Sequence, residues 1–169
     1  MGEKGLKDRV LYRVLVKDVS KSFTTQGRDF PALRSVNLHV TDGEFVTLIG
    51  PSGCGKSTLF NIISGVEHPD LGSVYVNQIE ATDQVGLVGY MPQKDLLLPW
   101  RSVLDNSILG MEVSGIPKGE ARRRALPLLT EFGLGGFENV YPHALSGGMR
   151  QRAAFLRTVL FEKDIMLLD

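Results

Sequence analysis

The sequence predicts an α/β domain that carries a small helical subdomain. Three observations lead there. Short apolar runs that read as strands stand towards both ends of the chain, a helical stretch near residues 95–145 separates them, and a glycine-rich turn joins one apolar run directly to a helix.

In chain order, residues 10–19 (VLYRVLVKDV) alternate apolar and polar side chains around β-formers, the pattern of a half-buried strand. Residues 24–31 (TTQGRDFP) have loop composition, residues 33–40 alternate again, and Thr41-Asp42-Gly43 is a turn. Residues 44–49 (EFVTLI) are almost continuously apolar, as expected of a strand covered on both faces. A helix over 57–64 follows, then strands over 73–76 and 86–91. From Leu104 the spacing turns helical, most clearly over 118–132, and residues 133–143 form a loop rich in glycine and aromatics. Residues 146–161 combine a capping serine, helical spacing and basic residues; residues 165–169 (IMLLD) are a short apolar strand ending in a carboxylate. No internal repeat, low-complexity tract or Pro/Ser-rich linker interrupts this order.

Composition narrows the class. The 169 residues carry 19 Lys+Arg against 19 Asp+Glu, with 43% hydrophobic and 22% charged residues, ordinary values for one globular domain. A net charge of zero argues against nucleic acid as the main partner, because phosphate backbones demand a basic excess. No run reaches the ~18 apolar residues of a membrane span, and residues 1–10 lack the apolar segment of a secretory signal. The single cysteine, Cys54, excludes an intramolecular disulfide and suits a reducing compartment. A soluble, cytoplasmic domain is the expectation.

Glycine carries the chemistry. Residues 50–58 read GPSGCGKST, which fits G-x-x-x-x-G-K-[ST] between an expected strand and an expected helix. Gly50, Gly53 and Gly55 let the backbone curl so that successive N–H groups face phosphate oxygens, and the following helix adds its positive end. Lys56 supplies a full charge for the β- and γ-phosphates, the Ser57 hydroxyl can ligate Mg²⁺, and Thr58 is a second hydroxyl near the α-phosphate. Cys54 is a small, tolerated residue whose exposure would make it alkylatable. A second cluster, residues 145–152 (LSGGMRQR), places Ser146 as a cap while Gly147 and Gly148 leave the first helical N–H groups uncovered. Alone it reads as an ordinary Ser-Gly cap; beside the phosphate loop it reads as a second anion-ready helix start.

These motifs resemble the nucleotide-binding subunit of ATP-binding cassette (ABC) transporters, in order over nearly the whole chain. GPSGCGKST matches Walker A, MPQ with Gln93 the Q-loop, LSGGM the signature and IMLLD Walker B, while Phe23 in SKSF matches the aromatic that stacks on adenine. The resemblance implies a P-loop NTPase (RecA-like) core with an N-terminal antiparallel β-subdomain and a helical signature subdomain, truncated after the Walker B strand. Residues 1–93 and 160–169 would form core and β-subdomain, and 94–159 the helical part, of one incomplete ATP-binding domain over 1–169. It implies ATP and Mg²⁺ as cofactors: Gly50, Pro51, Ser52, Gly53, Cys54, Gly55, Lys56, Ser57 and Thr58 around the phosphates, with Ser57, Gln93 and Asp169 at the metal. Lys56, Gln93 and Asp169 would serve the chemistry. It further implies a head-to-tail dimer in which Ser146, Gly147, Gly148 and Met149 reach the partner's ATP. Met149 replaces the commoner Gln, which a contact made by backbone N–H groups tolerates.

The partners implied are a second cassette subunit, membrane permease subunits and, indirectly, a solute-binding protein, at the cytoplasmic face of the membrane. The runs LLPWRSVLDN and GFENVYPHALSGGMRQR resemble the nitrate/sulfonate/taurine branch of importers, and pyrimidine-precursor importers carry similar cassettes. Leu96, Leu97, Leu98 and Trp100 are candidates for a groove that receives a permease helix, or for helical core. His39, His68 and His143 lack metal-ligand spacing; Arg122, Arg123 and Arg124 read as a solvated face; Arg150 and Arg152 support an interface or pair locally.

The resemblance places a catalytic Glu, a D-loop and a switch His after Asp169, and none is in the sequence. A charged terminus on a buried strand is costly. The expectation is a fragment roughly 70 to 100 residues short of a typical cassette, binding nucleotide weakly, barely hydrolysing it, and exposing one uncovered edge. Rival readings are a chromosome-binding ATPase with the same head motifs, disfavoured by the short stretch between Lys56 and Ser146, a ribosome-acting cassette, and a degenerate non-hydrolysing cassette.

Overall fold

The computed structural model describes residues 11–169, so Val10 and the leader reading of residues 1–10 lie outside the described residues. The chain divides into two compact units, one ending at Leu87 and one over Val88–Asp169.

The first unit is built on a four-stranded antiparallel sheet in the order β2-β1-β3-β4, with β1 Val14–Thr25, β2 Arg28–Val40, β3 Leu71–Val76 and β4 Ile79–Glu80. Helix α1, Lys56–Ile63, contributes buried Leu59, Ile62 and Ile63, and the sheet buries Val14, Val16, Val19, Leu33, Val74 and Val76. Each such side chain contributes roughly 1.5–3 kcal/mol relative to exposure. Strict alternation from Val14 and Val16 would turn Val19 outward. A bulge at Asp18, with φ 49°, inserts the extra residue that turns it back in. The Asp18 carboxylate holds that bend by accepting hydrogen bonds from Asn37 Nδ2 (2.8 Å) and Ser35 Oγ (3.0 Å). Gly72 is the complement on β3, since a Cβ there would stand 2.3 Å from the Lys17 carbonyl oxygen.

Two expectations for this unit are corrected. Residues 24–31 are not a loop: β1 and β2 run on to Thr25↔Arg28 and turn through Gln26 and Gly27 alone, at φ 52° and 73°. Two left-handed residues match the twist of a hairpin. Pro31 sits inside β2 because β2 is the sheet edge, where a missing N–H is tolerated. Residues 44–49 form no strand. Apolar continuity is only half of what a strand needs; the other half is a neighbouring backbone, and among the described residues none pairs with this run. Phe45 and Ile49 are accordingly 90% and 92% exposed, an uncovered apolar edge.

The second unit pairs β5, Gly89–Met91, in parallel with β6, Met166–Leu168, and packs them with α2 Val103–Ser107, α3 Leu109–Val113, α4 Lys118–Glu131 and α5 Gly147–Val159. Its core includes Val103, Ile108, Met111, Leu129, Leu134 and Leu156. Helix α4 stops because Gly133 takes φ 67°: its N–H donates to the Thr130 carbonyl, and that of Leu134 to the Leu129 carbonyl, a Schellman ending. Buried Asn106 pins residues 98–102. Its Nδ2 donates to the Leu98, Arg101 and Ser102 carbonyls, and its Oδ1 accepts from the Leu98 N–H at 2.7 Å. The run 96–100 is divided accordingly, with Leu97 in the core, Leu98 half-buried, and Leu96 and Trp100 exposed.

The basic triplet on α4 is not simply a solvated face. Arg122 and Lys118 both pair with Asp105 of α2 at 2.8 and 3.0 Å, and Arg124 pairs with Glu120. Burial pushes the Asp105 carboxyl up, but Arg122 and Lys118 outweigh it and hold it below its ordinary 3.8. A depressed folded value means stability that is complete above the unfolded value and lost as pH falls through the folded one. Asp105→Asn is therefore expected to cost about 0.5–1 kcal/mol at pH 7 and progressively less below about pH 4. Urea midpoints of both proteins at pH 7 and pH 3 check this, and a difference that persists unchanged at pH 3 would contradict it.

Candidate functional site

The phosphate loop forms the entry to α1. Gly55 caps the helix at φ 99° with no side-chain cap bond and no acidic residue in the first turn, so the leading N–H groups and the positive helix end are left to an anion. By contrast α2 and α5 each have one leading N–H taken by a serine side chain, that of Asp105 by Ser102 and that of Met149 by Ser146. Gly53 and Gly55 are required locally, at φ 78° and 99°, and a Cβ on Gly55 would also meet the Ala32 carbonyl oxygen at 2.5 Å. A Cβ on Gly50 would press on Cys54 Sγ at 2.7 Å, a side-chain atom that can turn aside. Lys56 Nζ donates to the carbonyls of Gly50 (2.8 Å) and Pro51 (3.0 Å) and lies 3.6 Å from Cys54 Sγ, which places the cation within the curl of its own loop. Pro51, Ser52, Cys54 and Ser57 are exposed, with Thr58 half-buried one position further. Charge, uncapped helix start and exposed hydroxyl together suit a polyphosphate.

In the same unit Phe23 stands near the tip of the β1–β2 hairpin, 41% exposed and directly across from exposed Phe30. Exposed rings on adjacent strands suit stacking with a planar ligand.

In the second unit, Gln93 and Asp169 follow the carboxyl ends of the parallel strands β5 and β6, where α/β sheets bind ligands. The Asp169 N–H donates to the Met91 carbonyl at 3.0 Å, extending the ladder to the carboxylate. Tyr90 in β5 has its hydroxyl pushed up to about 12, first by burial and then by the Asp169 charge. Helix α5 is fastened to the segment after β5: Gln151 Nε2 donates to the Gln93 carbonyl, Arg150 pairs with Asp95 at 3.1 Å, and Arg157 donates to the carbonyls of Asp95 and Leu96 at 2.8 Å. At the start of α5, Ser146, Gly147 and Gly148 are exposed and Met149 is half-buried. Neither glycine has a left-handed φ, a Cβ on Gly148 would touch nothing within 4 Å, and one on Gly147 only Arg150 at 3.9 Å. Among the described residues nothing requires them to be glycine.

The sequence profile of the ABC transporter family matches residues 33–169, four fifths of the chain. The chain belongs to that family. The ABC chain is 41% identical over 163 residues to an uncharacterised ABC transporter ATP-binding protein of Methanocaldococcus jannaschii, covering 96% of this chain and 61% of that one. It is 45% identical over 139 residues to the formylaminopyrimidine import ATP-binding protein ThiZ of Halalkalibacterium halodurans, covering 82% and 53%. Taurine and aliphatic-sulfonate import ATP-binding proteins are further relatives. A dimeric bacterial ABC cassette superposes with a TM-score of 0.85 at 34% identity, covering 92% of this chain and 73% of that one. A dimeric cassette in a post-hydrolysis state bound to ADP and Pi gives 0.83 at the same identity and coverage. The α/β fold with an antiparallel β-subdomain is thus that of an ABC cassette, and the chain spans little more than half the length of these curated relatives.

The three histidines are separate: His39 lies against Tyr12, His68 pairs with Asp83 at 3.0 Å, and His143 stacks on Tyr141. Among the described residues no group of three His, Cys, Asp or Glu could hold a metal, so a cation here would depend on hydroxyl, amide and phosphate oxygens as well. Sequence reading did not find Lys21, Glu67 and Asp70 around Phe23, or Asp95 and Arg157 beside Gln93. Only the spacing of Lys21 and Phe23 by two on one strand hinted at the first group.

Proposed function

We propose that this chain is the ATP-binding part of an ABC importer subunit that energises uptake of a small solute, of the sulfonate/taurine or pyrimidine-precursor kind. The observation that carries the reading is the uncapped, positively polarised start of α1 with Lys56 inside the curl of its loop. The names of the importer relatives support the transport role. In this reading residues 50–58 bind the phosphates and Phe23 stacks on the base. Mg²⁺ would be held by Ser57, Gln93 and Asp169 and would neutralise phosphate charge.

The glycines of α5 extend the reading to two copies. Glycine in a helix costs roughly 0.5–1 kcal/mol, and among the described residues no close approach at Gly147 or Gly148 offsets it. A second subunit whose bound ATP approaches Ser146, Gly147, Gly148 and Met149 accounts for them, and the dimeric cassettes support that arrangement. Residues 94–159 act as the helical subdomain, and the ties from α5 to Gln93 and Asp95 couple it to the nucleotide. In this reading Lys56, Gln93 and Asp169 serve the hydrolysis of ATP by the whole protein. Among the described residues no helix is long and apolar enough to cross a membrane. In this reading, which the names of the importer relatives support, membrane permease subunits provide the attachment at the cytoplasmic face and set the substrate with a solute-binding protein.

Calorimetric titration with MgADP tests the core of this. One site per chain is expected, and no heat at millimolar nucleotide would overturn it.

A further inference from the structure

We propose that Lys21 is a positioning residue for the Phe23 ring, anchored by Glu67 and Asp70 so that its ammonium covers one ring face and leaves the other to a purine base. The proposal rests on the reading of Phe23 as the base-stacking aromatic.

The geometry begins with the strand. Lys21 and Phe23 are two apart on β1 and share a face of the sheet. The pairing shifts from Lys21↔Leu33 to Ser22↔Pro31, so the extra residue of the irregularity, Ala32, is on β2 and β1 stays regular between Lys21 and Phe23. Lys21 Nζ lies 5.4 Å from the centre of the Phe23 ring, within the range of a cation–π contact. A lysine ordinarily keeps its ammonium in water, but this side chain is only 12% exposed. Two carboxylates account for that: Glu67 at 2.8 Å and Asp70 at 3.2 Å.

Asp70 also fixes the backbone between the two residues. Its second carboxylate oxygen accepts from the Ser22 N–H at 2.6 Å, and its own N–H donates to the Ser20 carbonyl at 2.8 Å. The hydrogen bond from Lys21 to Glu67 raises the lysine above its ordinary value and lowers the glutamate, so both are charged at neutral pH. The cluster is set close to the phosphate loop as well. Leu33, the cross-strand partner of Lys21, and Ala32 are the residues that Gly55 approaches so closely that a Cβ would collide with both. A cation fixed on one ring face does two things. It removes rotamer freedom that Phe23, at an exposed hairpin tip, would otherwise lose on binding, and it determines which face is open.

The test compares MgADP with inorganic tripolyphosphate, which engages the phosphate loop but has no base. Phe23→Ala is expected to weaken MgADP binding about 5- to 150-fold, the loss typical of a base–aromatic stack, and to leave tripolyphosphate binding unchanged. Lys21→Met is expected to weaken MgADP binding about 2- to 10-fold with tripolyphosphate again unchanged, and Lys21→Arg to restore most of it. Glu67→Gln, which keeps the amine but loosens its anchor, serves where Lys21→Met fails to fold, and should shift MgADP binding in the same direction. Normal MgADP binding by Lys21→Met, or by Glu67→Gln in its place, beside a weakened Phe23→Ala overturns the positioning role alone. Equal loss of both ligands overturns it too, as general damage. Normal MgADP binding by Phe23→Ala overturns the reading of Phe23 on which the proposal rests.

Discussion

Lys56→Ala is expected to weaken MgADP binding by about 100-fold and to leave the unfolding midpoint of the nucleotide-free chain unchanged within about 0.5 kcal/mol. The two halves of the result have separate causes. Among the described residues the ammonium's hydrogen bonds go to the Gly50 and Pro51 carbonyls and the Cys54 thiol, all on an exposed loop where water can take its place. Towards a polyphosphate it is the one full charge that the loop supplies, and charge-assisted hydrogen bonds contribute about 1.5–3 kcal/mol each. The observable follows from linkage: nucleotide at 100 times its Kd stabilises the natural chain by about 2.7 kcal/mol, and the variant at the same concentration should gain about 0.4 kcal/mol. A variant that keeps its nucleotide-dependent thermal shift would show that the loop's backbone, not its cation, carries the affinity.

The difference between what could and could not be read from the sequence follows sequence separation. The phosphate loop was legible because every part of it is local: glycine, lysine and helix start lie within nine positions, and the structure places them as the pattern demands. The helix over 118–132 was legible for the same reason, its end set by one glycine and two hydrogen bonds that reach back three and five residues. The hairpin at Gln26-Gly27 was misread because turn composition extends over eight residues while the turn itself uses two. The run 44–49 shows the opposite failure. Its composition is that of a buried strand, yet burial belongs to the assembled sheet, and without a neighbour Phe45 and Ile49 face solvent. The groups around Phe23 and Gln93 were invisible for a third reason. Glu67 and Asp70 reach β1 from more than 40 positions away, and Arg150 and Arg157 meet Asp95 across 55 and 62. Single-sequence patterns carry no information about such pairs.

Those long-range ties bear on how α5 works. In the proposed reading the first turn of α5 meets a partner's nucleotide, and α5 is tied to the segment after β5 through Gln151, Arg150 and Arg157. Burial lowers Arg157 and the Asp95 charge opposes it, so the guanidinium is retained in a partly desolvated place by the carbonyls it holds. Hydrogen bonds thus tie α5 to Gln93, Asp95 and Leu96 within this unit, and in the proposed reading these ties carry the nucleotide's signal.

Gly148→Asp separates that role from a structural one by sign. A carboxylate in the first turn of a helix stabilises it, by about 0.3–1 kcal/mol, and removing a helical glycine adds to the gain. Among the described residues nothing opposes the new side chain, since a Cβ at Gly148 meets no atom within 4 Å and its φ is not left-handed. The variant should thus unfold at the same or a slightly higher temperature and bind MgADP as the natural chain does. Facing the polyphosphate of a second copy, the same carboxylate is a like charge where uncovered N–H groups are needed, a repulsion of several kcal/mol at an interface. ATP-dependent association, followed by sedimentation velocity, should weaken at least about tenfold. A merely structural glycine cannot give a more stable monomer and a weaker dimer together. If ATP drives Gly148→Asp into dimers as readily as the natural chain, the start of α5 does not face a partner's nucleotide, and its two glycines need another explanation.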